Sequence, residues 1–410
     1  MENNIKKDFV WNTAGSLMYA LTSLIFMIIA TRAVGADGAG VFTFAFTVAS
    51  LLQAIGTYAG RVYQVTENNK NITDSDFFYN RIISCVVMML VALVYIWIKD
   101  YSFNKVIIII ALTIFRCIDA FAEYLYAIIQ RNNELYKTGK SLLYKAIIED
   151  VFFLVIAYTT KNLFYACVSL VVINLLITIL YDYRNAKKAG FKILPVNNKN
   201  VMDIFIHGFW IFMSVFLLQY IYNASKYAID TYMVDSFQTM FGIIIMPATF
   251  IYLLSQFVVQ PYLVPINEML KNNKIKDLNK LVMKTTFILL ACGFIAIVLA
   301  DFAGIPVLNF IYKVDVAEYK FDLLIIIFSA TLYSCSYIII NILIAMRKTF
   351  VQMLSYLIVS ITSFVVSRVL VNYYGIRGAS ISYFISMALI ALIYASFYYY
   401  FINKAKKNSR

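Results

Sequence analysis

Charge is scarce in this 410-residue chain. Only 14% of it is Asp, Glu, Lys or Arg, against about 25% in soluble domains. That scarcity excludes a soluble globular enzyme, and it also excludes a disordered chain, which needs charge and little apolar content. The five cysteines (Cys85, Cys117, Cys167, Cys292 and Cys335) fall inside apolar runs with no metal-like spacing. They read as small apolar side chains, and a secreted disulfide scaffold is excluded. A single histidine, His207, stands near the start of an apolar run, where a packed or interfacial position suits it. There is no phosphate-binding Gly-x-x-x-x-Gly-Lys-[Ser/Thr] loop, so no ATP-driven motor is expected within the chain. HExxH is absent too. Long polar loops are also missing. A membrane polymerase or ligase needs a sizeable outer loop, and the longest candidate here covers only 303–320.

What is abundant is apolar: 62% of the residues. At about 20 residues for each helical crossing of a hydrocarbon core, that content predicts about twelve spans. They run near 9–31, 40–64, 78–98, 105–130, 139–159, 162–182, 204–231, 237–264, 281–302, 321–345, 350–372 and 377–401. Runs this long are helices, because lipid leaves no other open structure with its backbone satisfied. The fold class expected is an all-α integral membrane protein. Residues 1–182 and 204–410 would form two six-helix lobes, joined by a basic linker at 183–203. The net charge of +13 is read as topology: Lys and Arg concentrate on cytoplasmic segments. Placing the N-terminus inside puts Arg184, Lys187, Lys188, Lys192, Lys199 and the tail bases Lys404, Lys406, Lys407 and Arg410 on the cytoplasmic side. With six spans in each half, any repeat between the halves is parallel.

Charges inside the spans are costly, so each is expected to face a partner or a wet cavity. Arg116 lies near the midplane of span four, with Asp119 and Glu123 following on the same helix face. Glu149 and Asp150 lie at similar depth on span five, which predicts a polar network between the two spans, with Lys145 and Glu149 as an i,i+4 pair. Two readings of that network stand side by side. One is structural pairing that pins helices together. The other is a proton or sodium site, for which carboxylate clusters in transporters are suited. Lys226 and Asp230 form a further i,i+4 pair on span seven. Arg61 follows Gly56-x-x-x-Gly60 and is either an interfacial anchor or a phosphate hook, since a guanidinium donates in bidentate fashion. Arg368, near the outer end of span eleven, either snorkels to the interface or joins Arg61, Arg116 and Lys226 on an anionic substrate. Pro247 should kink span eight.

Several segments resemble bacterial polysaccharide flippases of the multidrug/oligosaccharidyl-lipid/polysaccharide exporter superfamily. They are Trp11-Asn12-Thr13-Ala14-Gly15-Ser16, Thr31-Arg32-Ala33-Val34-Gly35, Ala39-Gly40-Val41-Phe42 and Gly60-Arg61-Val62-Tyr63-Gln64-Val65 in the first half. In the second half they are Ser225-Lys226-Tyr227-Ala228-Ile229-Asp230, Phe241-Gly242-Ile243, Met246-Pro247-Ala248 and Tyr374-Gly375-Ile376-x-Gly378-Ala379. The resemblance implies two lobes around a central cavity with alternating access. It implies movement of undecaprenyl-pyrophosphate-linked oligosaccharide between leaflets, for O-antigen or other surface polysaccharide, in the bacterial cytoplasmic membrane with both termini inside. Arg61 and Lys226 fall within matched segments and take a substrate-binding role by resemblance; Asp230 takes that of partner or gate. Arg116 and Arg368 for the substrate, and Asp119, Glu123, Glu149 and Asp150 for ion coupling, rest on their positions alone. A transporter is expected rather than an enzyme, with no cofactor, no resident metal and no nucleic-acid partner; membrane lipids and a coupling ion, H+ or Na+, are the other partners. The alternatives are a multidrug/cation antiporter and a peptidoglycan-precursor flippase of the same fold.

Overall fold

The computed structural model describes residues 2–408 except 68, 70, 194, 273 and 347, with side chains described from Lys7 to Ile402. The bases Lys6, Lys404, Lys406, Lys407 and Arg410 therefore lie outside the described side chains. Among the described residues the chain is helical, with no strand. The helices are α1 (Glu2–Thr57), α2 (Gly60–Thr66), α3 (Asp74–Lys99), α4 (Phe103–Arg131), α5 (Leu135–Thr160), α6 (Leu163–Ile177), α7 (Arg184–Lys188), α8 (Asn198–Tyr232), α9 (Asp235–Val259), α10 (Leu263–Lys271), α11 (Ile275–Leu299), α12 (Ile305–Tyr312), α13 (Lys320–Ala345) and α14 (Thr349–Asn408). Short π-helical turns, Thr178–Tyr183 and Ala300–Gly304, join α6 to α7 and α11 to α12.

Eight helical segments are long and apolar enough to cross a membrane on composition alone. Two of them, α1 and α14, are folded at Gly35 and Gly375 and hold two spans each. The helices missing from that set are α4 and α5, which carry Arg116, Asp119 and Glu123, and Lys145, Glu149 and Asp150. Adding them gives the twelve spans. The segments expected as loops at 265–280 and 303–320 are largely helical: α10, the start of α11 and α12 occupy them. Helix α9 runs through Pro247 without interruption.

One device closes most hairpins at one end of each unit. Gly35 (φ 79°), Asp100 (φ 48°), Lys161 (φ 52°), Lys313 (φ 55°) and Gly375 (φ 57°) are single left-handed residues between consecutive spans. A left-handed residue ends a helix and lets its N–H reach back over the last turn: Asp100 donates to the Ile96 carbonyl, Lys161 to Ala157 and Lys313 to Asn309. This explains why these connections are so short. The turns at Gly35 and Gly375 also share a pattern, Gly35-x-x-Gly38-Ala39 and Gly375-x-x-Gly378-Ala379. Its second glycine sits where a Cβ would strike Val34 in one case and the backbone of Leu370 in the other.

The chain forms two compact units, Met1–Gln219 and Tyr220–Arg410. The division falls inside α8, later than the basic linker. In the first unit α1 packs against α5, α4 and α3. Gly15 and Gly139 let α1 and α5 touch backbone to backbone, a close approach that small residues permit in membranes. Phe26, Phe42 and Phe153 form the aromatic centre, Phe153 lying 4.9 Å from Phe26 and 5.2 Å from Phe42 between ring centroids. The first part of α8 is docked within this unit: Tyr58 stacks on Phe212 at 4.8 Å and its hydroxyl donates to the Phe205 carbonyl at 2.9 Å. In the second unit α13 is the central helix, flanked by α14, α9 and α11. Hydroxyls tie helices in this unit: Ser225 of α8 meets Ser382 of α14 at 2.8 Å, and Ser363 meets Ser386 across the two spans of α14 at 2.7 Å.

Gly35, with φ 79° and ψ −177°, occupies a region open essentially to glycine alone. Gly35→Ala is expected to cost about 1–3 kcal/mol, read as a lowered unfolding midpoint in detergent. Lys313→Gly, at an ordinary left-handed position, is expected to leave the midpoint unchanged or slightly raised.

Candidate functional site

The expected cluster of intramembrane charges is assembled in the first unit, and it starts on α4. Arg116, Asp119 and Glu123 share one face of that helix. The Arg116 guanidinium donates through Nη1 to Asp119 Oδ2 at 3.0 Å and through Nη2 to Ser50 Oγ at 3.3 Å. It also lies over the Phe46 ring at 4.5 Å. The other Asp119 oxygen accepts from Asn174 Nδ2 at 2.7 Å. Thr178 Oγ1 donates to Asn174 Oδ1 at 3.3 Å and accepts from Lys145 Nζ at 2.9 Å. Lys145 completes the series with an ion pair to Asp182 at 3.4 Å. Arginine, carboxylate, amide, hydroxyl, ammonium and carboxylate thus form a continuous polar chain across α1, α4, α5 and α6 with its π turn.

Two expectations about this region are corrected. Spans four and five meet directly through the hydroxyls of Tyr126 and Ser141, 2.9 Å apart, whereas the charged groups are linked by way of span six, through Asn174, Thr178 and Asp182. Among the described residues Lys145 makes no ion pair or hydrogen bond with its i,i+4 neighbour Glu149. Its hydrogen bond goes to Thr178 and its ion pair to Asp182, both on the facing helix. Asn174, Thr178 and Asp182 were missed because amides and hydroxyls do not register as charges and Asp182 was read as the end of its span. A signal was present: the three recur at i, i+4 and i+8 in an otherwise apolar run, which places them on one helix face. Asp182, Asn174 and Glu149 are each 0% exposed. Arg81 was also passed over. It is buried, and its Nη1 donates at 2.7 Å to the Gly56 carbonyl, at the last turn of α1.

Glu149 stands outside this chain of contacts; Asp182, whose oxygens also meet no hydrogen bond among the described residues, has its ion pair with Lys145. Both Glu149 oxygens are buried and meet no hydrogen-bond partner among the described residues. The charges whose fields reach it are those of Asp119, Lys145, Arg116 and Asp150. A carboxylate left without bonds in such surroundings is expensive, so this position is maintained at a cost in stability. The Asp150 Oδ1 atom is likewise without a partner. Glu123 faces Arg61, with 3.6 Å between them. Arg61 reaches α4 because the chain breaks at Tyr58 (φ 48°) and Gly60 (φ 74°) and restarts as α2. The Nη1 of Arg61 and the Nε of Arg116 are buried donors with no hydrogen-bond partner among the described residues.

The remaining predicted site residues belong to the second unit. Lys226 and Asp230 lie one turn apart on α8, whose backbone is held there by Gln238 Nε2 donating to the Lys226 carbonyl at 2.6 Å. Arg368 lies 3.6 Å over the ring of Phe364, which is itself exposed, an arrangement that suits an interfacial arginine. An ion pair not anticipated from the sequence joins Arg377 to the buried Asp322 at 2.8 Å.

No protein-family profile matches the sequence, and no curated protein does either. Solved structures do match. A multidrug resistance MATE family transporter of the MOP superfamily, in an inward-facing conformation, superposes with a TM-score of 0.69 at 12% identity, covering 98% of this chain and 100% of that one. The lipid II flippase MurJ, in an inward closed conformation, superposes with a TM-score of 0.67 at 15% identity, covering 94% of this chain and 86% of that one. The Vibrio cholerae MATE transporter VcmN in its bent form gives 0.59 at 10% identity over 98% of both chains. The chain has the fold of MOP-superfamily transporters. It is a multi-pass membrane protein with the twelve helices in two lobes that this fold comprises.

Removing one partner of the buried pair isolates its role. Lys145→Met leaves Asp182 without its partner and is expected to lower stability by about 3–5 kcal/mol. Lys145→Met combined with Asp182→Leu is expected to recover most of that loss. Thermal unfolding of the purified variants is the measurement; equal losses in the single and double variants would count against a paired network.

Proposed function

We propose that the chain is a flippase that moves undecaprenyl-pyrophosphate-linked oligosaccharide from the inner to the outer leaflet of the bacterial cytoplasmic membrane, for O-antigen or related surface polysaccharide. The observation that carries this reading is the unspent, buried Nη1 donor of Arg61, on a helix restarted where the chain breaks. A guanidinium with a free donor suits a pyrophosphate oxygen. Arg116 offers a second unspent donor on the same face of α4. The fold supports the reading, because the lipid II flippase MurJ shares it. In the proposed cycle Arg61 and Arg116 are the headgroup contacts of the first unit and Lys226 and Arg368 those of the second, while the lipid tail stays in the bilayer.

Coupling is assigned to the carboxylates. Glu149, flanked by Asp119 and Asp150 and lacking hydrogen bonds, has room in its chemistry for a proton or a sodium ion. Taking up that cation would relieve an uncompensated charge, and releasing it would restore one, which gives an ion gradient a handle on the conformation of the first unit. Glu123 with Arg61, and Asp230 with Lys226, act as gates that part when substrate enters. A multidrug/cation antiporter is the second reading, favoured by the MATE transporters among the structural matches. The arginines weigh against it, since a cationic drug is repelled by them.

Arg61→Ala or Lys226→Ala is expected to abolish export of surface polysaccharide while the protein still inserts at wild-type level. In a strain lacking the wild-type gene, one undecaprenyl-pyrophosphate oligosaccharide should accumulate on the inner leaflet. Normal surface polysaccharide in both variants contradicts the substrate sites. Glu149→Gln is expected to keep the unfolding midpoint or raise it, and to lower export by at least about tenfold, equivalent to about 1.4 kcal/mol. A lowered midpoint with unchanged export would make Glu149 structural.

A further inference from the structure

A groove of about 370 Å3 opens on the surface of the first unit, bounded by α3, α4, the junction of α6 with its π turn, and the chain that follows α7. Its floor is aromatic. Phe78, Phe121, Tyr124, Tyr183 and Phe191 form a connected ring cluster with centroid separations of 5.8 to 6.3 Å. Its outer wall is made by Leu175, Ile179, Tyr183 and Ile193, which are 42–58% exposed. On a span, such exposed apolar side chains face acyl chains, and an open apolar groove between them is shaped to take one.

The chain at the mouth of this groove alternates anchors and charges. Tyr183 and Phe191 line the groove, and Ala186 and Phe191 are buried. Arg184, Lys187, Lys188 and Lys192 between and beside them are exposed. No acidic residue occurs from Tyr183 to Met202. The segment is fixed against α3 by Ser75 Oγ donating to the Lys192 carbonyl at 3.2 Å. Basic residues next to a span attract anionic lipid with about 1 kcal/mol each, and here they are held beside a groove of ligand-site size.

We propose that this groove holds an acyl chain of an anionic glycerophospholipid whose phosphate is met by Arg184, Lys187, Lys188 and Lys192. The site does not depend on what the chain transports. It does touch the polar network, since Thr178 lines the groove and accepts from Lys145. A bound lipid therefore braces the π turn that carries Thr178 and Asp182.

The test is native mass spectrometry of the purified full-length protein with equal amounts of phosphatidylglycerol and phosphatidylcholine of the same acyl composition. One phosphatidylglycerol should be retained with about tenfold preference. The preference should fall to parity in the R184Q/K187Q/K188Q variant and survive in K271Q/K274Q/K276Q, which removes the same charge from another segment. Leu175→Trp, filling the rim, should lose the adduct while its unfolding midpoint confirms that it is folded. Parity in the wild type, a preference that survives R184Q/K187Q/K188Q, or an unchanged adduct in Leu175→Trp would each overturn the proposal. So would displacement of phosphatidylglycerol by stoichiometric undecaprenyl phosphate, which would make the groove a seat for a polyprenyl tail.

Discussion

A charge in hydrocarbon must find a partner, and the first unit is arranged around that requirement. Helices α4 and α5 are the two spans that composition alone would not admit to a membrane. They enter it because Arg116 meets Asp119, and because Asn174, Thr178 and Asp182 on a third helix meet Asp119 and Lys145. Single interhelical hydrogen bonds in membranes average only about 0.6 kcal/mol. The chain of contacts matters less for its sum than for what it prevents, which is an unpaired charge in lipid costing several times as much. Against that background Glu149 stands out, as a carboxylate to which the same neighbours offer no hydrogen bond.

The fold was legible from physical constraints that act along the chain. Span length follows from hydrocarbon thickness, and the helical state from the lack of water in lipid. The positions of the hairpins followed from short polar breaks, including Gly35 and Gly375. What the breaks did not disclose was their shared mechanism. Lys161 and Lys313 adopt left-handed conformations that nothing in their side chains announces; only glycine advertises that region. The helical content of 265–280 and 303–320 was hidden for another reason. Both stretches hold prolines and polar residues that read as loop, whereas Pro265 and Pro306 sit near helix starts, where a missing N–H costs little.

The site was legible in part. Charge and depth placed Arg116, Asp119, Glu123, Glu149 and Asp150 together, and the structure gathers them in one unit. The neutral links were not legible as chemistry: Asn174 and Thr178 are unremarkable in composition and become important only when α6 and its π turn present them to α4 and α5. The pairing of Lys145 was misjudged because sequence offers only neighbours on the same helix. Asp182, from a facing helix, approaches more directly. Helix α8 carries a different lesson. Its first part is built into one unit through Tyr58, while Ser225 and Lys226 belong to the other, so the basic linker is not where the compact units divide.

In the proposed function a cation-sensitive polar network drives movement of a pyrophosphate-linked lipid. The most direct test is reconstitution of the wild-type protein in liposomes with a fluorescent undecaprenyl-pyrophosphate oligosaccharide, following its transfer between leaflets with and without an imposed proton or sodium gradient. Transfer is expected to accelerate under one of the two gradients and to stop when that gradient is dissipated. Transfer indifferent to both gradients, or none under any condition while a cationic dye is exchanged, would contradict the proposed function.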